Sequence, residues 1–143
     1  MRTRKILIID DDPQLVELLK LIFAKEGAKV YAATDGPQGL RAFSTHRPDL
    51  VILDVMMPGM DGWQVCTHLR QESDVPILLL SALGRDQDVA RGLARGADDY
   101  VTKPFSPTAL LSRAQALLSQ PLPATYGEHP ASLHLQGQRA FAG

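Results

Sequence analysis

The sequence of 143 residues has little cysteine, few aromatic residues and no long apolar segment. Its single cysteine, Cys66, excludes an intramolecular disulfide and a zinc site built from cysteines. The four histidines lack metal-ligand spacing, which disfavours a histidine-bound metal. The apolar run behind the basic N-terminus covers only residues 6–9, too short for a signal peptide or a membrane span. We therefore expect a cytoplasmic protein that does not bind membranes.

The charges are nearly balanced, with 15 basic and 16 acidic side chains and a net charge of -1. This balance gives no electrostatic reason to expect binding to nucleic acid or to an anionic membrane. We therefore expect DNA binding only through a domain absent from this chain. Hydrophobic residues make up 45% of the sequence, enough for one globular domain with its own core.

Short apolar segments alternate with helical patterns along most of the chain. Strands are predicted at residues 6–9, 29–33, 50–53, 77–80 and 99–102. Helices are predicted at residues 13–26, 36–46, 61–72, 85–95 and 107–119. Continuous rather than alternating apolar strands indicate a parallel sheet covered by helices on both faces. Right-handed crossovers then predict an α/β fold with a doubly wound sheet of five strands.

The chain changes character after residue 120. Residues 121–130 contain three prolines and little apolar content, which is typical of a linker. The stretch that follows alternates weakly and is too short to form a domain by itself. We predict a domain over residues 1–120 and a linker or tail over residues 121–143, interpreted as the start of a truncated effector domain.

The residues that follow the first, third, fourth and fifth predicted strands carry carboxylate, hydroxyl or ammonium groups. They are Asp10, Asp11, Asp12, Asp54, Ser81 and Lys103. The carboxyl ends of parallel strands meet at one edge of a doubly wound sheet, where the ligands of such folds bind. We therefore expect these side chains to share one site.

The three consecutive aspartates have two different explanations. Asp12 precedes Pro13, and an aspartate at the N-cap with a proline at the first helical position is a common helix start. Asp10 and Asp11 have no such role, and their repulsion with Asp54 requires a cation. Ligands that are all oxygen favour a hard ion, so we predict Mg²⁺ with several retained waters.

Asp54 ends a buried strand and has two interpretations. It is either a cap for the turn that leads to Pro58 and Gly59, or a nucleophile that takes a phosphoryl group as an acyl phosphate. Phosphoryl transfer needs neutralisation of the phosphoryl oxygens more than acid–base chemistry. Mg²⁺, the Lys103 ammonium and the Ser81 hydroxyl together offer that neutralisation.

Four motifs occur in order: ILIIDDDP (6–13), DVMMPGMDGW (54–63), PILLLSA (76–82) and GADDYVTKPF (96–105). From about Lys5 to Ser119 the chain resembles the receiver domain of two-component response regulators. The last motif is most similar to the class with winged-helix DNA-binding domains. The resemblance implies a flavodoxin-like fold with strand order 2-1-3-4-5 and five helices.

The resemblance also implies roles for the site residues. Asp10 and Asp11 match the acidic pair that binds Mg²⁺, with Asp54 and the backbone carbonyl of Met56 as further ligands. Asp54 matches the phosphoacceptor, and a histidine kinase would be the phosphodonor. The domain would be a signalling phosphoacceptor rather than an enzyme, although it assists its own phosphorylation and dephosphorylation.

Three further positions match residues that respond to the phosphoryl group in this family. Lys103 matches the lysine of the phosphoryl site, and the peptide bond that follows it is usually cis. Ser81 matches the hydroxyl that hydrogen-bonds the phosphoryl group. Tyr100 matches an aromatic switch whose ring moves inward, although the residues alone indicate only a half-buried aromatic on an edge strand.

In this family, phosphorylation remodels the face made by the fourth helix, the fifth strand and the fifth helix. In the winged-helix class that face often forms a symmetric dimer, and Asp99 and Arg113 match one of its cross-subunit ion pairs. Another such pair is replaced here by Val89 and Ala109, which either disfavours this dimer or gives it a more apolar centre. Solvated surface charges are the alternative interpretation.

Two other classes share parts of the pattern. A Mg²⁺-dependent phosphatase with an aspartyl nucleophile needs a second acid where this chain has Met56. A flavodoxin-like cofactor-binding protein needs a hydroxyl- and glycine-rich loop where this chain has DDDP. For a receiver, two outputs are open: regulation of transcription through an effector domain beyond residue 143, or a stand-alone receiver that binds a partner or passes the phosphoryl group on.

Overall fold

The strands and helices follow the sequence patterns closely. The computed structural model describes residues 3–82 and 86–119, with only the backbone for residues 86–89. The strands are β1 (Lys5–Ile9), β2 (Lys29–Ala33), β3 (Leu50–Asp54), β4 (Ile77–Ser81) and β5 (Asp99–Thr102). The helices are α1 (Pro13–Lys25), α2 (Gly36–His46), α3 (Gly62–Arg70), α4 (Asp86–Ala94) and α5 (Pro107–Leu118). Strands and helices therefore alternate as predicted.

The five strands form one parallel sheet with the order β2-β1-β3-β4-β5. This confirms the predicted doubly wound, flavodoxin-like fold and its strand order. In the register, Ile9 lies beside Leu53, and Ser81 lies beside Thr102. The carboxyl ends of these strands are therefore level, and the residues that follow them meet at one edge.

Two apolar layers cover the two faces of the sheet. On one face Leu7 belongs to a layer that includes Phe43 of α2, and on the other Ile8 belongs to a layer that includes Leu19 of α1 and Leu110 of α5. None of these five side chains is more than 2% exposed. Burial of a side chain of this size contributes about 1.5–3 kcal/mol. The residues at the strand ends therefore project from a well-packed core.

Two strands run one residue further than the apolar pattern predicts. β3 includes Asp54 and β4 includes Ser81, although the apolar runs stop at residues 53 and 80. The ladder continues because the Val55 N–H donates to the Leu80 carbonyl (3.1 Å) and the Lys103 N–H donates to the Ser81 carbonyl (2.8 Å). Asp54 and Ser81 are thus held by the sheet itself.

Asp12 caps α1 as predicted. Its carboxylate accepts hydrogen bonds from the backbone N–H of Gln14 (3.0 Å) and of Leu15 (3.4 Å). This satisfies N–H groups that have no partner inside the helix. The capping role is therefore filled by Asp12, and Asp10 and Asp11 remain for the site.

The predicted linker or tail, residues 121–143, lies outside the described residues. The division of the chain at residue 120 therefore stays a prediction. Within residues 3–82 and 86–119, no helix has both the length and the apolar character needed to cross a membrane.

Candidate functional site

Lys103 joins two buried aspartates at the carboxyl edge of the sheet. Its Nζ atom lies 3.1 Å from Oδ2 of Asp10 and 3.1 Å from Oδ1 of Asp54. Asp10 is 1% exposed and Asp54 is 3% exposed. One cation therefore faces two carboxylates where water has little access, and the site carries excess negative charge. The peptide bond between Lys103 and Pro104 is cis, as it usually is in the family the chain resembles.

Backbone groups hold the two buried carboxylates in place. Oδ1 of Asp10 accepts a hydrogen bond from the Asp12 N–H (2.9 Å), and the Asp10 N–H donates to the Ala33 carbonyl (3.1 Å). Oδ1 of Asp54 accepts a longer hydrogen bond from the Met56 N–H (3.4 Å). The carboxylates are thus oriented by the chain around them as well as by Lys103.

The environment shifts the pKa values of Asp54 and Lys103. Burial, with a smaller contribution from the negative charge of Asp10, raises the pKa of Asp54 to about 6. Lys103 and the Met56 N–H lower this pKa, but their effects are outweighed. Burial lowers the pKa of Lys103, but the hydrogen bond to Asp54 and the charges of both aspartates outweigh it, so this pKa is raised. The ionised form of Asp54 is destabilised relative to water, which favours additional positive charge nearby.

Asp11 completes a cluster of three carboxylates. One carboxylate oxygen from each of Asp10, Asp11 and Asp54 lies within 4.8 Å of the others. Asp11 is exposed, so an ion bound here would keep one side toward solvent. The cluster offers only oxygen ligands, which fits a hard divalent cation better than a soft one. The fold therefore brings the three predicted metal-binding side chains together.

Ser81 and Met56 lie beside Asp54 in different ways. Ser81 is 5% exposed and ends β4, the strand next to the one that carries Asp54. Met56 directs its N–H toward Asp54, and its side chain is largely exposed. The role of Ser81 as a phosphoryl ligand and that of the Met56 carbonyl as a metal ligand stay predictions.

The residues of the predicted switch and dimer face lie on β5, α4 and α5. Tyr100 is half-buried and packs against the apolar layer that contains Leu7. Arg113 pairs with Asp99 of the same chain, at 2.8 and 2.9 Å from its two oxygens, and this hydrogen bond raises the pKa of Arg113. Ala109 is exposed, and the side chain of Val89 lies outside the described residues. The switch and the dimer stay predictions.

Gly62 has no reactive side chain, but its lack of a Cβ atom allows α3 to begin close to Asp54. A Cβ atom at this position would lie 2.7 Å from the Val55 Cα and closer still to the Asp54 carbonyl oxygen. The Gly62 N–H donates to the Val55 carbonyl at 2.9 Å. Glycine thus lets α3 begin directly against the end of β3. The sequence shows a glycine at this helix start, but its close approach to Asp54 appears only in the tertiary structure.

The sequence is similar to known transcriptional regulators. Residues 6–115 match the response regulator receiver domain family. The chain is 45% identical to the probable transcriptional regulator ycf27 of Guillardia theta over 125 residues, 87% of this chain and 49% of that protein. It is 49% identical to the DNA-binding response regulator MtrA of Mycolicibacterium smegmatis over 115 residues, 80% of this chain and 50% of that protein. The chain spans about half the length of these relatives.

Solved receiver domains have the same fold. The BeF3-activated N-terminal receiver domain of RstA from Klebsiella pneumoniae has a TM-score of 0.79 and 35% identity, with 82% of this chain and 100% of that chain covered. A putative response regulator from Chloroflexus aurantiacus has the same TM-score and identity, with 83% and 100% covered. Since the family match covers most of the chain and the fold agrees, the chain belongs to the response regulator receiver domain family.

Proposed function

We propose that this receiver domain accepts a phosphoryl group on Asp54 from a histidine kinase, with Mg²⁺ bound at the site. The observation that carries the proposal is the position of Lys103 Nζ, 3.1 Å from both Asp10 and Asp54. Phosphoryl transfer depends on positioning and on neutralisation of charge. A nucleophilic carboxylate in contact with a cation at the sheet edge supplies both.

Asp54 is the nucleophile of the proposed reaction. A carboxylate oxygen attacks the phosphorus of the kinase phosphohistidine, the new P–O bond forms as the P–N bond breaks, and the imidazole leaves with the electron pair. The Lys103 ammonium neutralises one phosphoryl oxygen, and the Ser81 hydroxyl donates a hydrogen bond to another. The acyl phosphate on Asp54 is the signal, so the domain is a signalling phosphoacceptor rather than an enzyme with a separate substrate.

The charge of the site explains why a metal ion would be needed. Among the described residues, the carboxylates of Asp10, Asp11 and Asp54 cluster beside the Lys103 ammonium, and this excess of acidic groups would repel an anionic phosphodonor. Asp10, Asp11 and Asp54, with the Met56 carbonyl, would hold Mg²⁺. When bound, the ion supplies positive charge beside the phosphoryl oxygens.

The output of phosphorylation is proposed to pass through β5. Lys103 would contact the phosphoryl group in place of the free carboxylate of Asp54, and the side chains of Ser81 and Tyr100 would shift. The α4-β5-α5 face would then change its conformation and serve as a homodimer surface. MtrA is named a DNA-binding response regulator, and this chain spans about half of it. We therefore propose a cytoplasmic regulator of transcription that binds DNA through a domain beyond residue 143. A stand-alone receiver that binds a protein partner or passes the phosphoryl group on is the alternative.

Intact mass measurement tests the acceptor directly. After incubation with Mg²⁺ and acetyl phosphate, the wild-type chain should carry one phosphoryl group, and omission of Mg²⁺ should prevent it. Asp54→Asn should carry none. Asp61→Asn is the matched control, because asparagine caps α3 as well as aspartate does, and it should be phosphorylated like wild type. An adduct that persists in Asp54→Asn would refute the assignment of the acceptor.

A purified histidine kinase provides the second donor for the same measurement. If neither acetyl phosphate nor the kinase modifies the wild-type chain while Mg²⁺ binds, the proposed phosphorylation is wrong for this domain. Size-exclusion chromatography of the phosphorylated sample then tests the homodimer. Elution at the position of the unmodified chain would contradict the dimer but not the phosphorylation.

A further inference from the structure

A groove of about 420 Å³ opens between α1 and α5 at the amino edge of the sheet, opposite the edge that carries Asp54. The large apolar residues that line it are Ile6, Phe23, Leu111 and Leu118. Ile6 and Phe23 are buried core residues, whereas Leu111 and Leu118 are partly exposed. The groove therefore gives direct access to one of the two apolar layers, and its volume suits a few side chains of a peptide.

Small residues keep the groove open at the end of α1. Gly27 has a φ of +84°, and a Cβ atom at this position would meet nothing within 4 Å. Ala28 follows and also lines the groove. The chain then enters β2 at once, where the Lys29 N–H donates to the Arg4 carbonyl at 2.8 Å. Gly27 and Ala28 thus contribute no side chain longer than a methyl group to the groove.

Polar groups surround the apolar lining. The amide of Gln115 on α5 donates to Glu26 after α1 at 3.2 Å, across the groove. The exposed side chains of Thr3 and Arg4 also line it. Such donors suit an extended peptide, whose carbonyl groups have no internal hydrogen bonds. A compact ion suits the groove less, because Arg4 and Glu26 have opposite charges.

We propose that this groove binds the segment of the same chain that follows α5, with Leu122 inserted between the apolar side chains. Ser119 lines the groove, so the next residues of the chain begin at its rim. Leu122 lies three residues further on, about 10 Å in an extended chain, which is enough to reach across the groove. Pro121 and Pro123 flank it and favour an extended backbone, which reduces the entropy lost on docking.

Docking would fix the point at which the chain leaves the domain. The exit would then lie beside α1, and its position would be set by the side chains of α5. Since α5 belongs to the proposed output face, docking would couple that face to whatever follows residue 143. This consequence rests on the proposed function, whereas the docking itself does not.

Amide chemical shifts of the whole 143-residue chain test the docking. Leu122→Ser removes the proposed anchor, and Leu133→Ser removes an equal side chain further along the same segment as the matched control. Neither position contributes to the described fold, so both variants should fold. Leu122→Ser should shift the amide signals of Gly27 and Ala28, because the ratio of docked to undocked segment should fall about tenfold. Leu133→Ser should leave these two amide signals and this ratio unchanged.

A change on the groove side completes the test. In a Leu118→Gln background, Leu122→Ser should have little further effect, because the two side chains would act through the same contact. Unchanged Gly27 and Ala28 signals in Leu122→Ser, or equal shifts in both single variants, would overturn the proposal. Shifts that depend on protein concentration would also overturn it, because a second copy would then occupy the groove. Since no phosphodonor is present, this outcome is independent of whether Asp54 is phosphorylated.

Discussion

The Nζ atom of Lys103 lies 3.1 Å from Oδ1 of Asp54, although the two residues lie at the ends of strands that are not neighbours. Asp54 ends β3 and Lys103 follows β5, with β4 between them in the sheet. The contact therefore links the centre of the sheet to its edge. Lys103 thus connects Asp54 to the end of the strand that carries Tyr100.

Removal of the Lys103 cation should impair phosphorylation far more than folding. We expect Lys103→Ala to lower the rate of phosphorylation by acetyl phosphate about 10²–10³-fold, because one preorganised charged donor is lost. Lys103→Arg should restore only part of the rate, since a planar guanidinium cannot replace a compact ammonium between two carboxylates. Time courses of intact mass measure these rates. Lys20→Ala, which removes a partly exposed lysine of α1, is the control, and an unchanged rate in Lys103→Ala would contradict the assigned role.

Mg²⁺ should stabilise the wild-type chain against unfolding. At one hundred times its Kd the ion should add about 2.7 kcal/mol to the free energy of unfolding, since it binds only the folded cluster. Asp11→Asn should lose most of this effect without harm to the fold, because Asp11 is exposed. Asp12→Asn keeps a cap for α1 and should respond like wild type. Urea unfolding with Mg²⁺ and with EDTA measures the difference, and equal stabilisation of Asp11→Asn and wild type would contradict the metal site.

The metal-free chain should lose stability as the pH rises from about 4 to 6, through the titration of Asp54. The pKa of an ordinary aspartate, as in the unfolded chain, is 3.8, whereas that of Asp54 in the folded protein is about 6. In this interval the folded state binds more protons than the unfolded state, so the free energy of unfolding falls as pH rises. Because the exposed Asp11 leaves one side of the site open to solvent, we expect a loss of about 1–2 kcal/mol.

Asp54→Asn provides the comparison for this pH effect. The variant should be more stable than wild type at pH 7.5 in EDTA and close to it at pH 3.8, because a protonated aspartate and an asparagine are both neutral. Urea titrations of both proteins across this range measure the difference. A stability difference that does not change with pH would show that Asp54 titrates normally.

Gly62→Ala should damage the site more than the same change at another helical glycine. A Cβ at Gly62 meets the backbone of Asp54 and Val55, whereas one at Gly39 meets only side-chain atoms, those of Ile9. We expect Gly62→Ala to cost about 1–3 kcal/mol and to slow phosphorylation, because the end of β3 must move. Gly39→Ala should cost less and leave phosphorylation unchanged. Urea unfolding and intact mass measure the two effects, and equal behaviour of the two variants would contradict the positioning role.

The sequence by itself determined the order of the elements and the edge of the sheet that holds the site. Each strand is a short apolar run, and Asp12 with Pro13 marks the start of α1; these are local signals that need no knowledge of the rest of the chain. Once the strands are parallel, geometry brings Asp10, Asp54 and Ser81 to one edge. The apolar pattern placed the ends of β3 and β4 one residue early, because a side-chain pattern does not reveal a backbone ladder that continues through polar residues.

The tertiary structure decided which of these residues are in contact. That Lys103 reaches Asp10 and Asp54 together depends on the distance across the sheet, and the raised pKa of Asp54 depends on burial that no local pattern contains. In the same way, Asp99 pairs with Arg113 within one chain although the spacing is equally consistent with a pair between subunits. Contacts between residues far apart in the chain arise from packing, and packing is a property of the whole fold.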